Sequence, residues 1–140
     1  MLPNQICLGL NGTGAKEPTA AVTAVIGAIL TAPGEMVAVN QDTGKIEWAT
    51  RLPSSPYGAA TVTSNVVFTT TFHGDLYALN AATGAILLRT PMSAGANAPV
   101  AIDGDYVIAG AGTPLSAKQR PLIIAYKLGA AGKLPDTVSS

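Results

Sequence analysis

The sequence predicts an all-β fold of short antiparallel strands stacked as repeated sheets, and three observations lead there. The stretch Gly34-Glu-Met-Val-Ala38-Val-Asn40-Gln-Asp-Thr43-Gly44-Lys-Ile46-Glu-Trp48 returns forty positions later as Gly74-Asp-Leu-Tyr-Ala78-Leu-Asn80-Ala-Ala-Thr83-Gly84-Ala-Ile86-Leu-Leu88. Six of the fifteen positions are identical, among them the turn residues and the small Ala before the turn. Composition agrees: 15 Gly and 10 Pro stand among many Val, Thr and Ala residues, which favours short strands and tight turns over long helices. Each copy reads as strand, Asn-x-x-Thr-Gly turn, strand, and a fixed period near forty residues is the mark of a stacked repeat architecture, often a β-propeller.

The elements follow in order. Residues 1–33 are the least patterned: Asn4 to Leu10 suits a strand and Asn11 to Gly14 a loop, while Ala20 to Leu30 is apolar on every side, with valines and threonines tilting it toward strand. Residues 34–56 form half a blade, Glu35 to Asn40 pairing with Lys45 to Arg51 across a turn where Asn40 bonds the backbone and Gly44 takes positive φ. Leu52-Pro-Ser-Ser-Pro56 breaks the ladder, because proline has no N–H to give. Residues 57–96 hold one full blade with strands Ala59 to Ser64, Val66 to Phe72, Leu76 to Asn80 and Ala85 to Thr90. Residues 97–128 supply three strands, Ala98 to Ile102, Tyr106 to Ala111 and Leu122 to Leu128, with Ala125 standing where Ala38 and Ala78 stood. Residues 129–140 read as a tail. The sum is about two and a half to three four-stranded blades, whereas a ring needs ~4–8. Such a chain is expected to be part of a longer propeller, or to complete itself by assembly with further blades or further copies.

Charge and composition exclude several classes. Net charge is zero and only 11% of residues are charged, with no basic face, so neither nucleic acid nor an anionic membrane surface is an expected partner. Cys7 is the single cysteine, which forbids an internal disulfide and a cysteine-rich metal site; in its apolar run it reads as a small buried hydrophobe. The fourteen residues from Thr19 to Ala32 are too few for a spanning helix, which takes ~20, and no signal peptide pattern opens the sequence. Asn11-Gly-Thr13 matches a glycosylation sequon, a pattern short enough to arise by chance.

The repeat also carries a resemblance. Ala38-Val-Asn40-x-x-x-Gly44-Lys45-x-x-Trp48 resembles the tryptophan docking motif of pyrroloquinoline-quinone (PQQ) propeller repeats, in which the Trp ring packs against the neighbouring blade. The second copy keeps Ala78, Asn80, Thr83 and Gly84 but has Leu88 for the Trp, and both copies have Asn where the family usually has Asp. Ile123 through Pro135, together with Ser93 through Val107, is similar to the C-terminal stretch of quinoprotein alcohol and methanol dehydrogenases. The resemblance implies a periplasmic or extracellular parent that oxidises alcohols or sugars with PQQ and calcium or a lanthanide. Its catalytic Asp and most ligands would lie upstream, so the 140 residues alone are expected to bind no cofactor and to be inactive. The alternative is a non-catalytic PQQ-like propeller acting as a protein-binding scaffold or outer-membrane assembly factor, since fold does not fix function.

In a propeller the interblade linkers and the loops between second and third strands share one face, the face that ordinarily takes ligands. Tyr57, His73 and Asn97 are assigned to it, and Asp42, Asn65 and Asp103 to the opposite face. Asn97, just before an innermost strand, matches an Asn sometimes found at the cofactor in the resembled family; otherwise it caps its own linker turn. His73, the single histidine, precedes Gly74 and reads as a turn residue with no second imidazole to share a metal. Tyr57 either lines the channel or packs under the proline-rich linker. Asp103 and Asp105 flank Gly104 as a solvated turn, two carboxylates being too few oxygens for calcium.

Overall fold

The computed structural model describes residues 32–131, so the readings of Asn4 to Leu10, Cys7, Asn11 to Gly14, Ala20 to Leu30 and 132–140 lie outside the described residues. Nine strands and no helix are present there: β1 (Gly34–Val39), β2 (Ile46–Leu52), β3 (Thr61–Thr63), β4 (Val66–Thr70), β5 (Asp75–Asn80), β6 (Ile86–Pro91), β7 (Ala101–Asp103), β8 (Tyr106–Ala111) and β9 (Leu122–Lys127). They form three antiparallel sheets ordered β1-β2, β3-β4-β5-β6 and β7-β8-β9. None closes on itself. This is the partial propeller expected from the repeat.

The repeat is a structural unit because its turn is self-bonded. In the first copy the Asn40 side-chain oxygen accepts from the N–H groups of Asp42 (3.1 Å) and Thr43 (3.0 Å), and the Gly44 N–H donates to the Asn40 carbonyl at 2.8 Å. The second copy repeats all three bonds, Ala82 (2.9 Å) and Thr83 (3.1 Å) to Asn80 and Gly84 to its carbonyl at 2.8 Å. Only acceptor capacity is used, so Asn serves as well as Asp. Gly44 and Gly84 sit at φ 69 and 71, a region that costs a residue with a Cβ about 1–2 kcal/mol. After each turn one extra residue, Glu47 or Leu87, bulges before pairing resumes at Ala38↔Trp48 or Ala78↔Leu88. The bulge turns Trp48 and Leu88 to the same side as the paired Ala.

Alternation along β5 then decides the stacking. Tyr77 and Leu79 face the first sheet and join Leu52, Val67, Met36 and Trp48. Leu76, on the opposite side, joins Met92, Ala94, Ala96, Val100, Ala109, Ala111 and Ile124 against the third sheet. The central sheet is therefore covered on both faces, and β5 is buried from Asp75 to Leu79. Among the described residues the outer sheets are covered on one face only: Val37 and Val39 of β1 are exposed, and Ile123 of β9 is 83% exposed.

Three strands are shorter than the pattern suggested, each for a local reason. Ala59 has φ 54, which delays β3 to Thr61. β4 ends at Thr70, because the N–H of Thr71 donates to the Asp75 carbonyl and that of Phe72 crosses to Ser55. The stretch from Ala98 enters β7 only at Ala101, after Pro99; its carbonyls at Ala98 and Val100 accept from the hydroxyls of Thr70 (3.0 Å) and Thr61 (2.9 Å) of the central sheet. Side chains take the place of a strand partner there.

Gly84 has a second function that Gly44 lacks. A Cβ at Gly84 would lie 2.5 Å from Trp48 Cε3, whereas one at Gly44 meets nothing within 4 Å among the described residues. Gly44→Ala is expected to cost about 1 kcal/mol from φ alone and Gly84→Ala about 3 kcal/mol, the excess coming from the displaced ring. Urea titrations of the two variants check the order, and equal losses would contradict it.

Candidate functional site

Two regions gather chemistry-bearing residues. The first is the end of the sheets where the linkers run, the second the contact between neighbouring sheets.

At the linker end the β4–β5 turn acts as a hub. Its Thr71 carbonyl accepts from Gly74 N–H (3.1 Å) and from Ala96 N–H of the second linker (3.0 Å). The His73 N–H donates to the buried Ser54 hydroxyl of the first linker at 3.1 Å. Gly95 is required by this hub, because a Cβ there would collide with the Phe72 and Thr113 carbonyls. Gly95 also bridges to Thr113, and the Thr113 N–H donates to its carbonyl at 2.8 Å. Both linkers and the turn between second and third strands thus lie together, as the propeller reading required.

Tyr57 and His73 are placed at this end. The Tyr57 ring lies 4.4 Å from the Phe72 ring at 51°, with half of its surface exposed. His73 is exposed in a turn closed by Gly74 at φ 91. Asn97 is exposed one residue beyond the Ala96 bond. Asp42 and Asn65 are placed at the far end, beside the β5–β6 turn in the case of Asn65, whose carbonyl accepts from Ala81 N–H at 2.9 Å. Asp103 and Asp105 flank Gly104 at φ 50 and are exposed. Among the described residues no three His, Cys, Asp or Glu side chains come together as metal ligands.

The sheet contacts hold what sequence reasoning had only partly seen. Trp48 Nε1–H donates to the Ala81 carbonyl at 2.9 Å and Thr50 Oγ1 to the Gly84 carbonyl at 2.6 Å, so β2 grips the next sheet's turn at two points. The indole is partly buried. Asp75, not singled out from the sequence, accepts from Arg89 Nε and Nη2 at 3.1 Å each, a two-pronged pair across β5 and β6. No local pattern marks it; the antiparallel register of β5 and β6 puts Arg89 opposite Tyr77 and within reach of Asp75. The Arg89 guanidinium lies 5.8 Å from the Tyr77 ring centre, and the Asp75 hydrogen bond holds its proton more tightly than usual.

Tyr77 and Tyr126 carry buried hydroxyls without partners among the described residues. Burial pushes both above their ordinary pKa of 10.0, and at Tyr77 the Asp75 carboxylate adds to this while Arg89 opposes it.

The comparisons with known proteins follow this geometry. The PQQ-like repeat model described as outer membrane protein assembly factor BamB matches residues 33–122. Among solved structures the chain is similar to quinohemoprotein alcohol dehydrogenase from Comamonas testosteroni, at 27% identity and a TM-score of 0.64 over 76% of this chain and 18% of that one. It is also similar in fold to BamB from Moraxella catarrhalis, at 22% identity and a TM-score of 0.51 over 67% of this chain and 30% of that one. The chain thus spans less than a third of either. No curated protein matches. No helix among the described residues is long and apolar enough to cross a membrane.

A raised tyrosine pKa favours the folded state below pH 10.0 and loses that contribution as pH climbs through the folded value. Stability is therefore expected to fall above pH 10.0, and less steeply in Tyr77→Phe. At pH 7 that variant is expected to match or exceed the wild type by up to about 1 kcal/mol, since it removes an unpaired hydroxyl. Chemical unfolding at pH 7 and at pH 11 reads both effects.

Proposed function

This chain belongs to the PQQ-like repeat family, and we propose that it forms consecutive blades of a larger quinoprotein-dehydrogenase-type propeller. The carrying observation is the pair of sheet faces that no described residue covers. Val37 and Val39 on β1 and Ile123 on β9 occupy the positions that Tyr77, Leu79 and Leu76 fill with neighbours in the central sheet. A propeller sheet with one apolar face open is completed by a further blade or by a partner. The stronger similarity in identity, TM-score and share of this chain covered to the alcohol dehydrogenase than to BamB favours the dehydrogenase reading.

In this reading the linker end supplies one wall of the cofactor channel, and Asn97 contributes a single polar contact to it. The remaining ligands for PQQ and calcium come from other blades, and the parent acts on a small alcohol or sugar in the periplasm. The second reading is a scaffold whose sheet edges grip partner proteins at the outer membrane; it is favoured by the description of the family model that matches residues 33–122.

The intact 140-residue chain is expected to show no saturable retention of PQQ in equilibrium dialysis with calcium, and no alcohol oxidation. Stoichiometric binding at micromolar PQQ would overturn the view that the cofactor site is shared with other blades.

A further inference from the structure

Both sheet–sheet contacts are assembled from the same two halves. Because side chains alternate along a strand, a sheet turns one face to the sheet before it and the other to the sheet after it. In the central sheet both halves are covered. Tyr77 and Leu79 lie against the first sheet and Leu76 against the third, and none of the three is more than 1% exposed.

Each outer sheet repeats one half with no neighbour among the described residues. Val37 and Val39 flank Ala38 as Tyr77 and Leu79 flank Ala78, yet they are 42% and 53% exposed. Ile123 stands two residues before Ala125 as Leu76 stands two before Ala78, yet it is 83% exposed. Ile108 pairs with Ala125 as Phe68 pairs with Ala78, and Ile108 and Tyr106 are exposed on the same face as Ile123. The first sheet therefore carries an open receiving half, and the third sheet an open presenting half, of one and the same contact.

We propose that a second copy of this chain covers both faces, the third sheet of each copy stacking on the first sheet of the other, and that two copies so joined close a ring. The proposal rests on the partial-propeller reading and names what completes the ring for the chain taken by itself. The two halves are unlike, so the contact is heterologous, and heterologous contacts repeat until a ring closes or run on as a filament. Sheet number decides between the closed forms. One copy has three sheets, two copies bring six, and three bring nine, of which only six falls within the ~4–8 of closed propellers. A formal net charge of zero leaves no long-range repulsion to keep the copies apart.

The test is sedimentation equilibrium on the intact chain and on two surface variants, Ile123→Lys at the presenting face and Val39→Glu at the receiving face. The wild type is expected at twice the chain mass, with no growth as concentration rises. Each variant alone has a spoiled face in both contacts and is expected at the mass of one chain. An equal mixture is expected to return to twice the chain mass, because one contact then joins two unaltered faces and the other sets Lys against Glu. Trp48 fluorescence is expected to be the same in every sample, since neither substitution touches its seat. A wild type that stays at the mass of one chain overturns the proposal and leaves the partial-propeller reading intact, the faces then being covered by the chain's own remaining residues or by other blades. A mass that climbs without limit overturns the ring. A dimer that survives in either variant alone makes the contact isologous and overturns the head-to-tail stack, as does a mixture that stays at the mass of one chain.

Discussion

The structure depends on one contact, the Trp48 indole seated on the Asn80–Gly84 turn of the next sheet. A two-stranded ribbon such as β1-β2 has little stability alone and persists only where it is packed. The ring gives it apolar area, and the Nε1–H bond to Ala81 fixes where along the neighbour that area lies. Gly84 makes both possible, because the same missing Cβ permits φ 71 in the turn and leaves space for the ring. Turn chemistry and sheet stacking are therefore not independent choices. A side chain at Gly84 strains the hairpin and unseats the ribbon together.

The second contact shows what happens when that element is absent. Stacking is carried instead by small buried residues near the linker, Ala94, Ala96, Ala109 and Ala111, and by two threonine hydroxyls that hold the linker carbonyls. The linker end is consequently tied together by backbone and side-chain bonds, while a groove runs between the central and third sheets from Pro91 to Ala130. That division has a functional meaning. A face that carries ligand groups must be held in place, and the hub at Thr71, Ser54 and Gly95 does this for the linker face. Asp75 and Arg89 brace the base of the same turn, since Asp75 follows Gly74 directly.

Much of the fold was legible because the repeat writes its turns explicitly. Asn-x-x-Thr-Gly states an acceptor, two donors and a positive-φ position, and both copies fold as that statement requires. Trp48 was legible too, through the resemblance of its repeat to the tryptophan docking motif, in which the ring packs against the neighbouring blade. Other features depend on tertiary contacts that no local pattern encodes. The positive φ at Ala59 is not a preference of alanine; it is set by a linker held to Thr70 through the Gly58 N–H. The late start of β7 follows from hydroxyls twenty-eight and thirty-nine residues away. Asp75 and Arg89 are ordinary surface residues in the sequence and become a buried-edge pair only through register. Of the linker-face residues, placement at one end could be read from strand order, whereas the exposure of Asn97 could not.

The central claim is that the indole and the turn glycine form one unit, and a double-mutant cycle on Trp48→Leu and Gly84→Ala tests it most directly. Trp48→Leu installs the residue that the second copy carries naturally, so it removes the ring without an improbable side chain. In that background Gly84→Ala is expected to cost only its backbone strain, giving a coupling of about 1–2 kcal/mol in equilibrium unfolding. Losses that add to within about 0.5 kcal/mol would contradict the account, because the ring and the glycine would then be acting separately.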